Sequence, residues 1–371
     1  MKILIAPNSM KGSLNAFDFA DVIENAFRKS SGSFTTRKIP AADGGDFTGE
    51  VLAKELNAEI KYLEVHGPLG KPVYSKYFTS GKTAIIEMAD ASGMKLVNRQ
   101  DLNPLVASSY GTGELISNAI SKGCNEIFLA IGGSATVDGG MGMLEALGFF
   151  FFDKNGKKLA GNGKNLGKLK RIVVPVPIPE VSIKIICDVD NPLLGANGAA
   201  NVFGPQKGAT PEMVVELDTG LKNWAQILQK ISGKNIAGLK GTGAAGGISV
   251  PLIALFNAEI VEGADFVLSV LNFEEHVKWA DLVITGEGKL DSQTLNNKAP
   301  FAVSRCAKKY NKPVFAFGGL VEKEAELAFD KVFCINEKGF DIDFAMKNAK
   351  QILYNFTLAF ADNTDNFKLT D

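Results

Sequence analysis

Residues 1–28, MKILIAPNSMKGSLNAFDFADVIENAFR, set the class of fold. Ile3–Ala6 is a short apolar run with no polar face. A polar loop follows, Pro7-Asn8-Ser9-Met10-Lys11-Gly12-Ser13. Leu14–Arg28 then places apolar residues at helical spacing, with Ser13 or Asn15 as the cap. Strand, loop and helix in that order form the repeating unit of α/β folds. The same unit returns after Asp281, with strands expected at Asp281–Thr285, Pro313–Phe317 and Lys331–Ile335. Further strands are expected at Glu59–Val65, Thr83–Met88, Glu126–Ile131, Arg171–Val176 and Ile183–Cys187. Several are Val- and Ile-rich on both faces, as in parallel strands covered by helices on both sides. Thr210-Pro211-Glu212 gives a cap, a first-turn proline and an early acid, then a helix to about Ile231. Asn155-Gly156 between Phe149–Asp153 and Lys157–Leu159 predicts one hairpin, its four-Phe run a buried strand. Met346–Ala361 reads as the last helix, and the tail from Asp362 as polar and frayed. The class is α/β with mainly parallel sheets. Because both chain ends carry the same kind of unit, a discontinuous domain with the middle inserted stands against contiguous halves.

Composition narrows the chemistry. The chain has 371 residues, 46% hydrophobic and 22% charged, which suits two or three globular domains. Lys+Arg 40 against Asp+Glu 41 gives a net charge of -1, so no global field for nucleic acid or membranes is expected. The 2 histidines, His66 and His276, lack partners at metal-ligand spacing, which argues against His-based zinc sites and His-driven nucleophiles. The 4 cysteines lie far apart and read as reduced thiols of a cytoplasmic protein. No run approaches the length of a membrane helix, and the first residues are too short in apolar side chains for a signal peptide. The 39 glycines exceed the usual share and follow no collagen period, so they mark either many turns or loops that approach a ligand closely.

In parallel α/β sheets, ligands bind beyond the carboxyl ends of strands. After the first strand, Lys11 beside a helix N-terminus suits an anion, or else stands in solvent at a turn capped by Ser13. Asp43-Gly44-Gly45-Asp46 suits a substrate hydroxyl or a divalent cation, with a capped turn as the structural alternative. Ile131–Gly142, IGGSATVDGGMG, combines five glycines with the hydroxyls of Ser134 and Thr136, a set suited to an anion held by backbone amides. Asp188 and Asp190 follow the strand Ile183–Cys187 and share a face if that strand continues. Such a pair binds magnesium or takes a proton, or else Asp-Asn-Pro simply opens a turn. Gly286-Glu287-Gly288-Lys289-Leu290-Asp291 repeats glycine with charge at a strand end, and Lys298 stands in reach of a phosphate. Gly241–Gly246 matches G-x-G-x-x-G, but Ile236–Lys240 is a poor strand, so an NAD-dependent oxidoreductase is the alternative reading. Phosphate-loop, protein-kinase and G-x-S-x-G signatures are absent.

Taken together, these blocks resemble the bacterial glycerate kinase family of the class II, glycerate 2-kinase type. The matching blocks are APNSMKGSL (6–14), AADGGDFT (41–48), IEMADASG (86–93), SSYGTGELI (108–116), IGGSATVDGGMGMLEALG (131–148), CDVDNPLLGANGAANVFGPQKGAT (187–210), GTGAAGGI (241–248) and ADLVITGEGKLDSQT (280–294). The resemblance implies ATP- and Mg²⁺-dependent phosphorylation of D-glycerate, at the 2-position. It also implies two different α/β domains, one flavodoxin-like and split, with the active site in the interdomain cleft. The expected division is 1–65 plus 275–371, with 66–274 inserted. Under this reading Asp188, Lys11 and Asp43 are the catalytic candidates. Gly132, Gly133, Ser134, Thr136, Asp138, Gly286 and Lys298 hold ATP. Ser13, Lys11 and Asp291 meet the substrate, and Asp188 and Asp190 meet the metal. Partners are then small molecules, with no nucleic acid or membrane and with homo-oligomerisation left open. Five positions depart from the family pattern: Asn8 stands for Asp, Asp46-Phe47 for Glu-Gly, Asn297 for the Gly of G-K-A-P, and Thr242 for Ala. Asn8 and Phe47 also motivate a further alternative, a weakened homologue that binds metabolites without turnover.

Overall fold

The computed structural model describes all residues except 293, 295–297, 337 and 368–371, and the backbone alone at 364 and 365. The departure at Asn297 and the end of the tail therefore lie outside the described residues. The chain separates into two compact units, one of residues 1–43, 50–55 and 262–371, the other of residues 44–49 and 56–261.

Among the described residues the first unit holds five strands: β1 (Lys2–Ile5), β2 (Thr35–Lys38), β12 (Leu282–Leu290), β13 (Val314–Val321) and β14 (Lys331–Cys334), ordered β14-β13-β12-β1-β2. Each neighbouring pair is parallel. Numbered within the unit, that order is 2-1-3-4-5 read from the β2 edge, the flavodoxin-like doubly wound arrangement. Helix Ala16–Lys29 begins at Asn15, whose side chain accepts from the Asp18 amide, and buries Phe19, Ile23 and Phe27 against the sheet. Helix Ala349–Asp362 adds Leu353 and Phe360 to the same core, with Phe315 and Phe317 from β13. The last helix thus begins three residues later than expected, after a short helix Ile342–Lys347 capped by Asp341.

The second unit holds the other nine strands found among the described residues. Its main sheet contains β3 (Glu59–His66), β4 (Pro72–Ser80), β5 (Thr83–Glu87), β6 (Glu126–Ala130), β10 (Ser182–Cys187) and β11 (Glu259–Glu262), ordered β11-β10-β6-β5-β4-β3. β5, β6 and β10 run parallel, while β3 and β4 form an antiparallel hairpin at the edge. β7 (Phe150–Phe152), β8 (Lys158–Leu159) and β9 (Arg171–Val173) form a small antiparallel sheet. The hairpin expected around Asn155-Gly156 is there, although its phenylalanines alternate: Phe151 is buried and Phe150 exposed. Sequence patterning misses β2, β4 and β11, which are short or polar on one face. Residue 65 is the expected end of the first segment, but β3 pairs with β4 and so lies in the second unit. Helices Gly263–Val270 and Phe273–Trp279 lie in the first unit.

Thr210 caps helix Pro211–Ser232, accepting from the Met213 amide. This helix carries Trp224, fully buried, whose indole donates to the Gly139 carbonyl at 2.9 Å and packs edge-on against Phe151. Replacing it removes the packing and leaves a carbonyl unmatched. Trp224→Ala should cost about 3–5 kcal/mol of unfolding free energy in the second unit. Urea unfolding followed by far-ultraviolet circular dichroism measures it, and a loss below about 1 kcal/mol would mean that the site collapses around the truncation.

Candidate active site

Two clusters of polar groups stand at strand ends, one in each unit. In the first unit, β1 and β12 are the pair at which strand order reverses, the place where such sheets open a crevice. A cavity of about 430 Å³ lies there, lined by Ser9, Lys11 and Ser13 from the loop after β1 and by Glu287, Lys289, Asp291 and Lys298. The sequence pattern ends this strand at Thr285. The strand in fact continues to Leu290, so Glu287 sits within β12, still paired with β13. Lys11, Ser13, Asp291 and Lys298, singled out separately from sequence, are thus brought to one cavity. Asn15 is the helix cap, which leaves Ser13 to donate to the Met10 carbonyl at the cavity rim. Asp43 accepts from Asn8 Nδ2 at 3.0 Å, so the Asn that replaces the family's Asp supplies a donor where two carboxylates would repel.

Glu287 belongs to one of the glycine-rich motifs, yet its sequence context assigns it no role. It is buried, and Oε1 accepts from the Thr294 hydroxyl at 2.6 Å. Oε2 stands 3.8 Å from Lys298 Nζ. Burial pushes its carboxyl up to about 7, with Asp43 and Asp291 adding to the rise and Lys298 and Thr294 opposing it. Gly286, expected to hold the cofactor, is instead a packing position. A Cβ there would meet the Phe317 carbonyl at 2.2 Å, so adjacent strands leave no room for one.

In the second unit the loop after β6 has a split role. Gly132 donates to the Gly44 carbonyl at 3.1 Å, and a Cβ on it would meet Gly45 Cα at 2.8 Å. The expectation of a phosphate contact at Gly132 is therefore corrected to loop-on-loop packing. Asp138 is fully buried and accepts from the Ser109 amide and hydroxyl and from the Gly140 and Gly142 amides at 2.7–3.2 Å. It organises the start of helix Met141–Ala146 and has no surface with which to meet a nucleotide. Thr136 is likewise fully interior. Gly133 is exposed, with φ +73, and its amide and that of Ser134 take no partner among the described residues.

Lys207 has no counterpart among the candidates that the sequence offers. It is 2% exposed, and its ammonium donates to Ser134 Oγ at 2.8 Å and to the Thr136 carbonyl at 2.7 Å. Burial pulls it down to about 7, with Asp138 partly opposing. Gly204-Pro205-Gln206-Lys207-Gly208 reads as a turn that would leave its lysine in solvent, so only the fold reveals the burial.

Asp188 follows the end of β10 and is half-buried. The strand stops at Cys187, so the shared-face rule for Asp188 and Asp190 does not apply. Asp190 pairs with Lys240 at 2.9 Å in solvent. Gly241–Gly246 is preceded by no strand at 236–240, which removes the context that a dinucleotide fingerprint needs. Its glycines serve close packing: a Cβ on Gly243 would meet the Pro192 carbonyl at 2.1 Å. Phe47 takes φ +68, a left-handed backbone that explains why glycine suits this position and that strains a bulky side chain. Among the described residues no three His, Cys, Asp or Glu side chains converge on a metal position, and no helix is long and apolar enough to cross a membrane.

A doubly wound sheet with a lysine- and carboxylate-lined crevice at its switch point has the parts of a small-molecule phosphotransferase, where positioning and charge do most of the work. The model of the glycerate kinase family matches residues 3–363. A glycerate kinase of Halalkalibacterium halodurans is 43% identical over 360 residues, covering 95% of each chain. A glycerate 2-kinase of Escherichia coli is 42% identical over 351 residues, covering 93% of this chain and 90% of that one. A crystal structure assigned to a glycerate kinase 2 from Salmonella typhimurium LT2 superposes with a TM-score of 0.83 at 40% identity, covering 97% of each chain. The chain belongs to the glycerate kinase family, and it is a kinase whose acceptor is an alcohol group.

Lys207 carries a pH signature. Its folded form loses the proton near 7, whereas an unfolded lysine keeps it to about 10.4. The unfolded state therefore binds more protons between these values, and stability gained from this residue rises with pH across that window. Unfolding free energies of wild type and Lys207→Met, measured at pH 7 and pH 10, should diverge in favour of wild type at the higher pH. A pH-independent difference would mean that Lys207 titrates normally.

Proposed function

We propose that this kinase transfers the γ-phosphoryl group of ATP to D-glycerate, with magnesium, to give 2-phosphoglycerate. The observation that carries this reading is the crevice beside β1 and β12, where Lys11 and Lys298 offer donors for a carboxylate and for phosphoryl oxygens, with Ser13 at the rim. Among the described residues Lys11 has no carboxylate partner, so its charge is available to an acid substrate. In the second unit the Gly133 and Ser134 amides receive nucleotide phosphates, with the Lys207 charge beneath Ser134. Support also comes from relatives whose names specify glycerate, one of them a glycerate 2-kinase.

Magnesium takes hard oxygen ligands and usually keeps several waters, needing one or two carboxylates alongside substrate phosphates. A single half-buried carboxylate at a strand end, Asp188, fits that demand, and the absence of a larger acidic cluster among the described residues does not conflict with it. When bound, the ion supplies charge neutralisation to the phosphates. A cytoplasmic location belongs to the same reading, supported by four cysteines standing as free thiols.

Purified protein with ATP, Mg²⁺ and D-glycerate should release ADP, and NMR of the product should place the phosphate on the 2-oxygen. Turnover confined to another small hydroxy acid would move the substrate and keep the reaction class. Asp188→Asn should raise the magnesium concentration for half-maximal rate by about 10-fold or more. An unchanged magnesium requirement would remove Asp188 from ligation.

A further inference from the structure

The crevice of the first unit contains a carboxylate to which the proposed function gives no role. Its walls are largely apolar, from Met10, Leu320, Ile335, Ile342 and Met346, and Glu287 is buried among the polar groups at its other side. A carboxylate in such surroundings needs partners, and the two oxygens of Glu287 differ in what they receive. Oε1 accepts from the Thr294 hydroxyl at 2.6 Å. That hydroxyl is oriented by the Asp291 amide, which donates to its oxygen at 3.1 Å and so turns the Thr294 proton toward Glu287. Oε2 accepts no hydrogen bond among the described residues, and its nearest charge, Lys298 Nζ, stands 3.8 Å away, beyond bonding reach. Among the described residues, one oxygen is thus fixed and the other is left to accept.

The neighbouring acids are committed elsewhere. Asp291 is 3.2 Å from Lys289, which also bonds Glu322 at 2.6 Å. Asp43 accepts from Asn8. Lys11, Lys289, Asp291 and Lys298 are the charged groups that share the cavity with Glu287, and Asp43 acts on it from the loop after β2.

We propose that Glu287 is the general base of the transfer, with Thr294 as the residue that positions it. This rests on the hydroxy acid occupying this crevice. The substrate hydroxyl oxygen forms a bond to the γ-phosphorus of ATP as the bond from that phosphorus to the β,γ-bridging oxygen breaks. The bond's electron pair leaves with ADP. The hydroxyl proton passes to Glu287 Oε2 and returns to solvent on product release. A carboxyl raised to about 7 is an effective acceptor at neutral pH, because it is deprotonated often enough and basic enough.

Full-length Glu287→Gln, Glu287→Asp and Thr294→Val test it, with circular dichroism to compare folding. Glu287→Gln should lower kcat by about 10²–10⁴-fold while ATP affinity, from direct titration, stays within about twofold. In wild type, kcat should fall as pH drops through about 7, where Glu287 takes up its proton. Glu287→Gln should abolish that acid limb. Thr294→Val removes a bond that favours the charged form, so its acid limb should move to higher pH. Glu287→Asp, which keeps a carboxylate, should recover part of the lost rate. A Glu287→Gln enzyme within about threefold of wild-type kcat, or an acid limb that survives in it, would overturn the proposal. A wild type that fails on D-glycerate overturns the substrate reading instead. The variants are then compared on whichever small hydroxy acid is turned over, where the same rate loss and the same acid limb decide the role of Glu287.

Discussion

The parallel pairing of β1 with β12 is the contact on which the first unit depends. Ile3 lies opposite Leu282, and the Thr285 hydroxyl donates to the Ala6 carbonyl across 279 positions of sequence. Closing so long a loop is less costly than it looks, because loop entropy grows only with the logarithm of length. The return is a five-stranded sheet from two chain ends, with the order reversal falling between these two strands. Everything chemical in the first unit follows from that. The loop carrying Lys11 and the strand carrying Glu287 become neighbours because their strands are neighbours.

Buried charge is the second organising constraint. Asp138 is tolerated because four donors converge on it, and Lys207 because a hydroxyl and a carbonyl receive its protons. Among the described residues, Glu287 receives one strong bond and has one oxygen that accepts none. Fully satisfied groups hold architecture, whereas a group left partly satisfied in a crevice is where chemistry becomes available. The glycines divide along the same line. Gly132, Gly243 and Gly286 let backbones approach closely, while Gly133 faces outward from its loop.

The strand-loop-helix pattern makes the α/β class legible, and the long apolar strands are found with ends that differ by a few residues. Polar edge strands such as Thr35–Lys38 are not, because a strand with one solvated face and four residues leaves little periodicity. The glycines and charges after Thr285 normally signal a loop, which is why β12 looks shorter in sequence; pairing with β13 carries it to Leu290. Lys11, Ser13, Asp291 and Lys298 are legible as candidates from their places after strands. Asp138 and Gly286 are drawn into the site by the same glycine-rich company, though burial assigns them to packing. Glu287 and Lys207 need the fold, since what distinguishes them is what surrounds them, and sequence neighbours do not report that.

The order in which the chain leaves the ribosome gives the split sheet a further meaning. β1 and β2 emerge well before β12, since the strand that separates them from β13 and β14 lies more than two hundred residues later. At about 5–20 residues per second that interval is roughly 12–50 s. Through it, Leu4 and Ile5 have no partner on the β12 side, while the inserted unit can complete its own core from largely continuous sequence. The nascent chain can therefore finish the inserted unit before the split one, and the apolar β1 waits with one edge open. Such an edge is a pairing hazard in any crowded setting. Slow translation through the inserted unit prolongs that exposure, which makes synthesis rate, as well as equilibrium stability, a determinant of yield.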